Sequence, residues 1–397
     1  MLAPENNIIA TIMLLGTMTC WGSWSSIRML CKADGPVFVI LYILGQFVVG
    51  IVCEFSFGMG TGIPGLFNSQ TFLGGWMKQM AWYRILAIVI GGSCCANSDF
   101  LASCACTRLP FAVVVPIFMG WALIQATVLN YIIEDSDANP YYLFAGVFMA
   151  FMAICSMSLS DRYAVTESSE YSTRISQGSF GKEKSTDRDV LQARLLHSAD
   201  SDIDDAMASL PAIRGQTKTN TINSWIYVSV FAGAIAGMWS PLQVMGRKGT
   251  GAVDNPLVCL FLFHSGAVLS IPMMLFYHGR VIATAGKVSG GASEVEYMSD
   301  YWQQLLDLPM KDKMFGMLAG GVVAMGTFLF FTASAVLSST ISFAICSCAP
   351  LVSIAIGVII FKQLDKAPTP QTVFIALASV LFTTAIVLMV LADMLVN

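Results

Sequence analysis

Asp99 and His264 are the residues of this chain whose chemistry is hardest to reconcile with their surroundings. Asp99 stands in Asn97-Ser98-Asp99 inside one long apolar run, and His264 follows Leu257-Val258-Cys259-Leu260-Phe261-Leu262-Phe263 in another. An ionisable group in hydrocarbon costs roughly 2.5–3.5 kcal/mol on insertion scales, so one that persists there faces a cavity and works in it. Asp99 lies about 7 Å from the middle of its run, at 1.5 Å per residue, where a carboxyl can accept a proton. His264 is near mid-run, and an imidazole with an ordinary pKa of about 6.5 suits the same task. The plainer alternatives are that Asp99 sits near headgroups, paired with Arg28 or Arg108, and that His264 is a hydrogen-bonded packing residue. Glu54 is close enough to the end of its run to reach the interface, and Arg28 can snorkel there.

A second set could hold a flat, nitrogen-rich ring by stacking on aromatic faces and by pairing amides or hydroxyls with ring N–H and C=O groups. Trp24 and Trp239 supply the faces, and Asn97, Asn130, Gln46 and Gln243 supply the amides. Ser240-Pro241 and Pro350 mark places where helix backbone can open toward a substrate. No Ser-His-Asp set, metal cluster or phosphate loop rises above chance, so neither an enzyme nor a cofactor is expected. The cysteine pairs Cys104/Cys106 and Cys346/Cys348 have no His or carboxylate set around them, and a metal site needs three or four ligands.

Ten apolar segments must position these residues. They are Ile8 to Leu30, Pro36 to Phe57, Trp82 to Cys106, Leu109 to Ile133, Tyr141 to Leu159, Trp225 to Met245, Leu257 to Tyr277, Met314 to Leu337, Ser339 to Phe361 and Thr372 to Ala392. Each is long enough to cross a hydrocarbon core about 30 Å thick. Hydrophobic residues make up 56% of the chain and charged residues 12%, with a mean hydropathy of +0.69, which is far from the soluble norm. None of the runs alternates polar with apolar, so helices are expected throughout. A net charge of −4 argues against a nucleic-acid partner. The lipid bilayer, a small-molecule substrate and protons are the partners expected. Most of the 11 cysteines fall inside the segments and read as small packing residues. Met1 to Asn7 carries no Lys or Arg, so the first span is expected to act as an uncleaved insertion signal.

The segments fall as five (residues 1–160), a polar gap (161–222), then five (223–397). The gap is rich in charge, Ser and Thr and poor in aromatics, and reads as a disordered linker. Between spans seven and eight, Tyr297, Tyr301, Leu305 and Leu308 recur at helical spacing before Pro309, which predicts a short interfacial helix. Seventeen of the 21 Lys and Arg, including eight in the gap, fall on one side of the bundle. That side is expected to be cytoplasmic, with both termini and the acidic turn Glu134, Asp135, Asp137 on the other.

The halves repeat one another. Gly22-Ser23-Trp24-Ser25 answers Gly237-Met238-Trp239-Ser240, Gly91-Gly92 answers Gly320-Gly321, and Pro116 answers Pro350. An odd number of spans per repeat inverts the second half across the membrane, and in such transporters the substrate site lies at the repeat interface.

The chain resembles the ureide permease family of the drug/metabolite transporter superfamily. The resemblance rests on Thr127-Val128-Leu129-Asn130-Tyr131 with the acidic turn and Leu143-Phe144-Ala145-Gly146-Val147, on Ser240-Pro241, on Ala349-Pro350-Leu351-Val352-Ser353 and on the Gly-x-Trp of span one. It implies ten helices in two inverted repeats and secondary active, usually proton-coupled, uptake of allantoin, uracil, xanthine and related heterocycles. Plant members carry a nucleotide-binding-like motif in the central loop. The nearest stretch here, Gly178-Ser179-Phe180-Gly181-Lys182-Glu183, lacks its spacing and its Ser or Thr, so no ATP use is expected. The plasma membrane is the favoured location. A sugar or nucleotide-sugar transporter of the same fold, and a membrane scaffold or receptor without transport, are the rival readings.

Overall fold

The computed structural model describes residues 7–33, 35–58, 80–106, 109, 111–177, 217–253, 255–276, 303–362, 364 and 367–395, and these are all-helical apart from turns. Eleven helices occur among them: α1 Asn7–Arg28, α2 Gly35–Gly58, α3 Trp82–Cys106, α4 Phe111–Glu134, α5 Pro140–Gln177, α6 Thr217–Arg247, α7 Pro256–Leu269, α8 Met310–Ala333, α9 Ser339–Cys346, α10 Pro350–Ile359 and α11 Thr369–Met394. They provide ten stretches long and apolar enough to span a membrane, α7 with the short helical piece 271–276 forming the seventh and α9 with α10 the ninth. This is a multi-pass integral membrane protein by the length and hydropathy of its helices.

Local chemistry sets several boundaries. Asn255 caps α7 by accepting the Leu257 N–H at 2.9 Å, with Pro256 in the first helical turn, where its missing N–H costs nothing. Ser338 caps α9 through the Ile341 N–H. The three internal prolines behave differently. Pro116 and Pro241 sit inside unbroken helices. At Pro350 the ninth span divides, and Ala349, Leu351 and Val352 bond three residues back, to Cys346, Cys348 and Ala349. Pro350 has no N–H for Cys346 O, four residues back, and the Ala349 N–H takes that acceptor instead.

Two helices outrun their segments. α5 continues to Gln177 and α6 starts at Thr217, so the described ends of the polar gap are helical where a disordered linker was expected. Propagating an established helix is far easier than nucleating one, and the polar sequence gives no sign of it. Residues 178–216, with the Gly178–Glu183 stretch, lie outside the described residues, as do Tyr297 and Tyr301 of the expected interfacial helix. Its described remainder, 303–307, is helical.

α3 packs on α6 and α7, and α8 packs on α1 and α2; α4 packs on α6, and α1 on α10 and α9; α5 packs on α11, and α2 on α7. The closest approaches fall on glycines. A Cβ at Gly92 would collide with Phe263 O, and one at Gly266 with Val89 O, so α3 and α7 meet backbone to backbone. α8 and α2 meet the same way, Gly320 against Tyr42 O and Gly45 against Met317 O. Small residues that let backbones touch are the usual means of packing helices in lipid. All eleven cysteines are free thiols, six of them buried.

Candidate functional site

Most of the expected substrate residues fall into two groups. One is built on α6. Trp239 is buried and lies in an aromatic cluster with Trp21 (6.0 Å), Phe263 (5.6 Å), Phe330 (5.7 Å) and Phe343 (5.4 Å), mostly edge to face. Trp21, rather than the sequence candidate Trp24, is the tryptophan of α1 that joins it. One turn further along α6 is Gln243, 2% exposed, with neither Nε2 nor Oε1 hydrogen-bonded. Asn130 of α4 is fully buried and donates Nδ2 to Ser240 Oγ at 2.8 Å, while its Oδ1 has no partner. Thr127 Oγ1, Ser342 Oγ and Trp21 Nε1 are likewise buried and unpartnered. Each such atom costs roughly 1–3 kcal/mol of desolvation until something bonds it. The sequence singled out Asn130, Trp239 and Gln243; Trp21, Thr127 and Ser342 it did not.

The second group lies toward the end of the bundle where α8 begins. Trp24, 37% exposed, stacks on Phe38 (6.1 Å) and leans on Tyr42 (5.7 Å), both of α2. Asp99 lies one turn beyond Cys95 on α3, close to Tyr42. Asp99 is half-buried and makes no ion pair with Arg28, whose guanidinium donates to Cys31 O and lies 4.8 Å from the Phe38 ring. Arg108 lies outside the described residues. Asn97 is buried and spends its Nδ2 on Ser93 O at 2.8 Å, inside its own helix.

His264 adjoins the first group through Phe263, whose ring lies 5.4 Å away, edge to face. It is fully buried on α7 with both ring nitrogens unpartnered, against Gly50 of α2. Glu54, one turn beyond Gly50, is 3% exposed with neither carboxylate oxygen bonded, so it does not reach the interface as its position in sequence suggested. Pro350 is placed where α10 meets α1: Ser353 donates to Gly22 O at 2.6 Å, and Ser25 bonds Ser353 at 3.3 Å. Among the described residues no group of three or more His, Cys, Asp or Glu could hold a metal.

The end of the bundle nearer Gln243 carries interactions that the sequence left unread. Glu134, the last residue of α4, is 8% exposed. It accepts the backbone N–H groups of Ser339 and Thr340 and the Thr340 hydroxyl, each at 2.8 Å, and pairs with Lys248 Nζ at 3.1 Å. Arg247 donates to Ser334 Oγ and Phe331 O, both at 2.6 Å, closing the C-terminus of α8. Arg84 donates to Met245 O and Lys248 O, closing that of α6. Cations at helix C-termini and an anion at an N-terminus are each the favourable pairing with the helix dipole. Beside them a cavity of about 330 Å³ opens between Tyr83, Arg84, Ile133 and Lys248.

No family model matches the chain. No curated protein matches it either. A solved structure described only as a crystal structure of a protein is similar over 97% of this chain and 98% of its own, with a TM-score of 0.53 and 13% sequence identity. That likeness concerns the fold alone.

Proposed function

We propose that the chain is a secondary active, proton-coupled transporter of small nitrogen-rich heterocycles, of the ureide permease kind, built as two inverted five-helix repeats. The observation that carries the substrate class is the pair of buried amides beside Trp239. Gln243 offers one free donor and one free acceptor on a planar group, which is the complement of a cyclic –CO–NH– edge. Asn130 Oδ1, Thr127 Oγ1 and Ser342 Oγ add acceptors and donors, and the aromatic cluster adds faces for a flat ring.

Helix packing supports the repeat. Gly92 on Phe263 and Gly266 on Val89 answer Gly320 on Tyr42 and Gly45 on Met317, a register one residue removed from the sequence pairing of Gly91-Gly92 with Gly320-Gly321. In the same register Trp239 on Phe263 answers Trp24 on Tyr42. The two tryptophans then stand on opposite sides of the bundle centre, one flanking each route to it. Asp99, close to the Trp24 group, is the proposed proton carrier, with His264 as a second. The charge count orients the Glu134 end away from the cytoplasm, in the plasma membrane. The test is uptake of radiolabelled allantoin and uracil by cells expressing the chain, at acidic and near-neutral pH, beside Gln243→Ala. Saturable, acid-stimulated uptake that the variant loses upholds the reading; no uptake of either compound with the protein at the surface refutes it.

A further inference from the structure

We propose that Glu134 is a latch that keeps the bundle shut at its own end, and that this end opens when the carboxylate leaves the α9 N-terminus and Lys248. The inference rests on the two-state transport reading.

The latch joins the three helices that cover the polar set. Glu134 belongs to α4, its backbone and hydroxyl donors to the first turn of α9, and Lys248 follows the last residue of α6. Thr127 and Asn130 of α4 and Gln243 of α6 lie one to two turns deeper on the same helices, and Ser342 lies two residues past Thr340 on α9. A ligand reaching their unpartnered atoms from this end has to part these helices, and the carboxylate bonds are what it meets. The bonds are reversible. Lys248 has a half-exposed side chain, and helix N-terminal N–H groups take water readily once the carboxylate withdraws.

The repeat-related position carries no such carboxylate. By the correspondence of Pro116 with Pro350, position 134 falls on Pro368, which has no group to offer a helix terminus. The environments of the paired tryptophans agree: Trp239, on the latched side, is 8% exposed, and Trp24 is 37% exposed. This conformation is shut at the Glu134 end.

The experiment uses the full-length protein in proteoliposomes with two single reporters, Ser342→Cys below the latch and Ser25→Cys near the opposite end. Alkylation of each by a thiol reagent is followed by peptide mass spectrometry, which separates it from the native thiols. Glu134→Gln removes the ion pair and turns one of the two oxygens that accept the Ser339 and Thr340 N–H groups into a donor. Loss of one charge-assisted bond shifts a two-state equilibrium by roughly tenfold or more. Ser342→Cys is therefore expected to react about tenfold faster, and Ser25→Cys more slowly by about a tenth, the share of molecules that leaves the present state. Lys248→Ala, at an exposed position, is expected to move both rates the same way by less, and it decides the matter should Glu134→Gln fail to fold. Faster reaction at Ser342→Cys without the reciprocal slowing at Ser25→Cys would mean local fraying, and unchanged rates would mean no latch; either overturns the inference. Reciprocal shifts in a protein that takes up neither allantoin nor uracil would leave the latch standing and remove the substrate assignment.

Discussion

Adding a single methyl group at Gly92 tests how the bundle is held together. Gly92 and Gly266 face each other across one crossing of α3 and α7, and a Cβ on either would overlap the carbonyl oxygen of the other helix, Phe263 O or Val89 O. Backbone cannot swing aside as a side chain does, so the helices must part by about 1 Å or more before a tolerable C···O separation of roughly 3.3 Å is reached. Overpacking of this sort costs about 1–3 kcal/mol. The control is Gly321→Ala, whose new methyl meets only Val49 Cγ2 at 3.2 Å, the tip of a side chain that can yield. Its expected cost is below about 0.5 kcal/mol. Gly92→Ala combined with Gly266→Ala should cost clearly less than the two separately, because the first methyl has already opened the crossing for the second. Apparent Tm in detergent, followed by tryptophan fluorescence or by loss of the monodisperse peak, ranks the four proteins. Gly92→Ala as stable as wild type, Gly321→Ala equally damaging, or strictly additive losses would each refute the backbone-contact argument.

Further outcomes are expected elsewhere in the molecule. Ser240→Ala deprives the buried Asn130 Nδ2 of its 2.8 Å acceptor and should cost about 1–3 kcal/mol in the same thermal assay, with Ser240→Thr restoring most of it. Arg247→Lys cannot reproduce the fork that reaches Ser334 Oγ and Phe331 O together, so stability should fall although the charge is kept. Asp99→Asn should abolish acid stimulation of uptake while leaving binding of the heterocycle measurable by calorimetry; uptake that still rises on acidification would move the proton to His264. Trp239→Ala should impair binding more than Trp24→Ala does, since only Trp239 adjoins the unpartnered amides.

Much of the architecture was legible because hydropathy is the property that decides membrane insertion. All ten spans follow from runs such as Pro36 to Phe57. What sequence hid depends on partners far along the chain. Glu134-Asp135-Ser136-Asp137 reads as an exposed acidic turn, yet Glu134 is buried because Ser339 and Thr340, 205 and 206 residues away, present a helix N-terminus to it. Asn97 and Asn130 look alike as intramembrane amides. Ser93, one turn back on α3, takes the first for its own helix, and no such neighbour exists for Asn130 Oδ1. Of Trp21 and Trp24, three residues apart, only packing tells which turns toward α8 and the Trp239 cluster and which toward α2.

The paired tryptophans carry the argument one step further. On the proposed repeat, Trp24 and Trp239 hold equivalent positions with equivalent ring neighbours, Tyr42 and Phe263, so local sequence alone would bury them alike. They are not buried alike, and the excess at Trp239 comes from Trp21, Phe330 and Phe343, which converge on it from α1, α8 and α9. Helices from both halves thus close over one tryptophan and not over the other. A change of state that exchanged these environments would leave the Gly92 and Gly320 crossings untouched and would have to break the Glu134 contacts, because α4, α6 and α9 are joined there. Rigid crossings within each flank and a polar clasp at one end are what a rocking bundle needs: surfaces that do not slip, and one contact that water can replace.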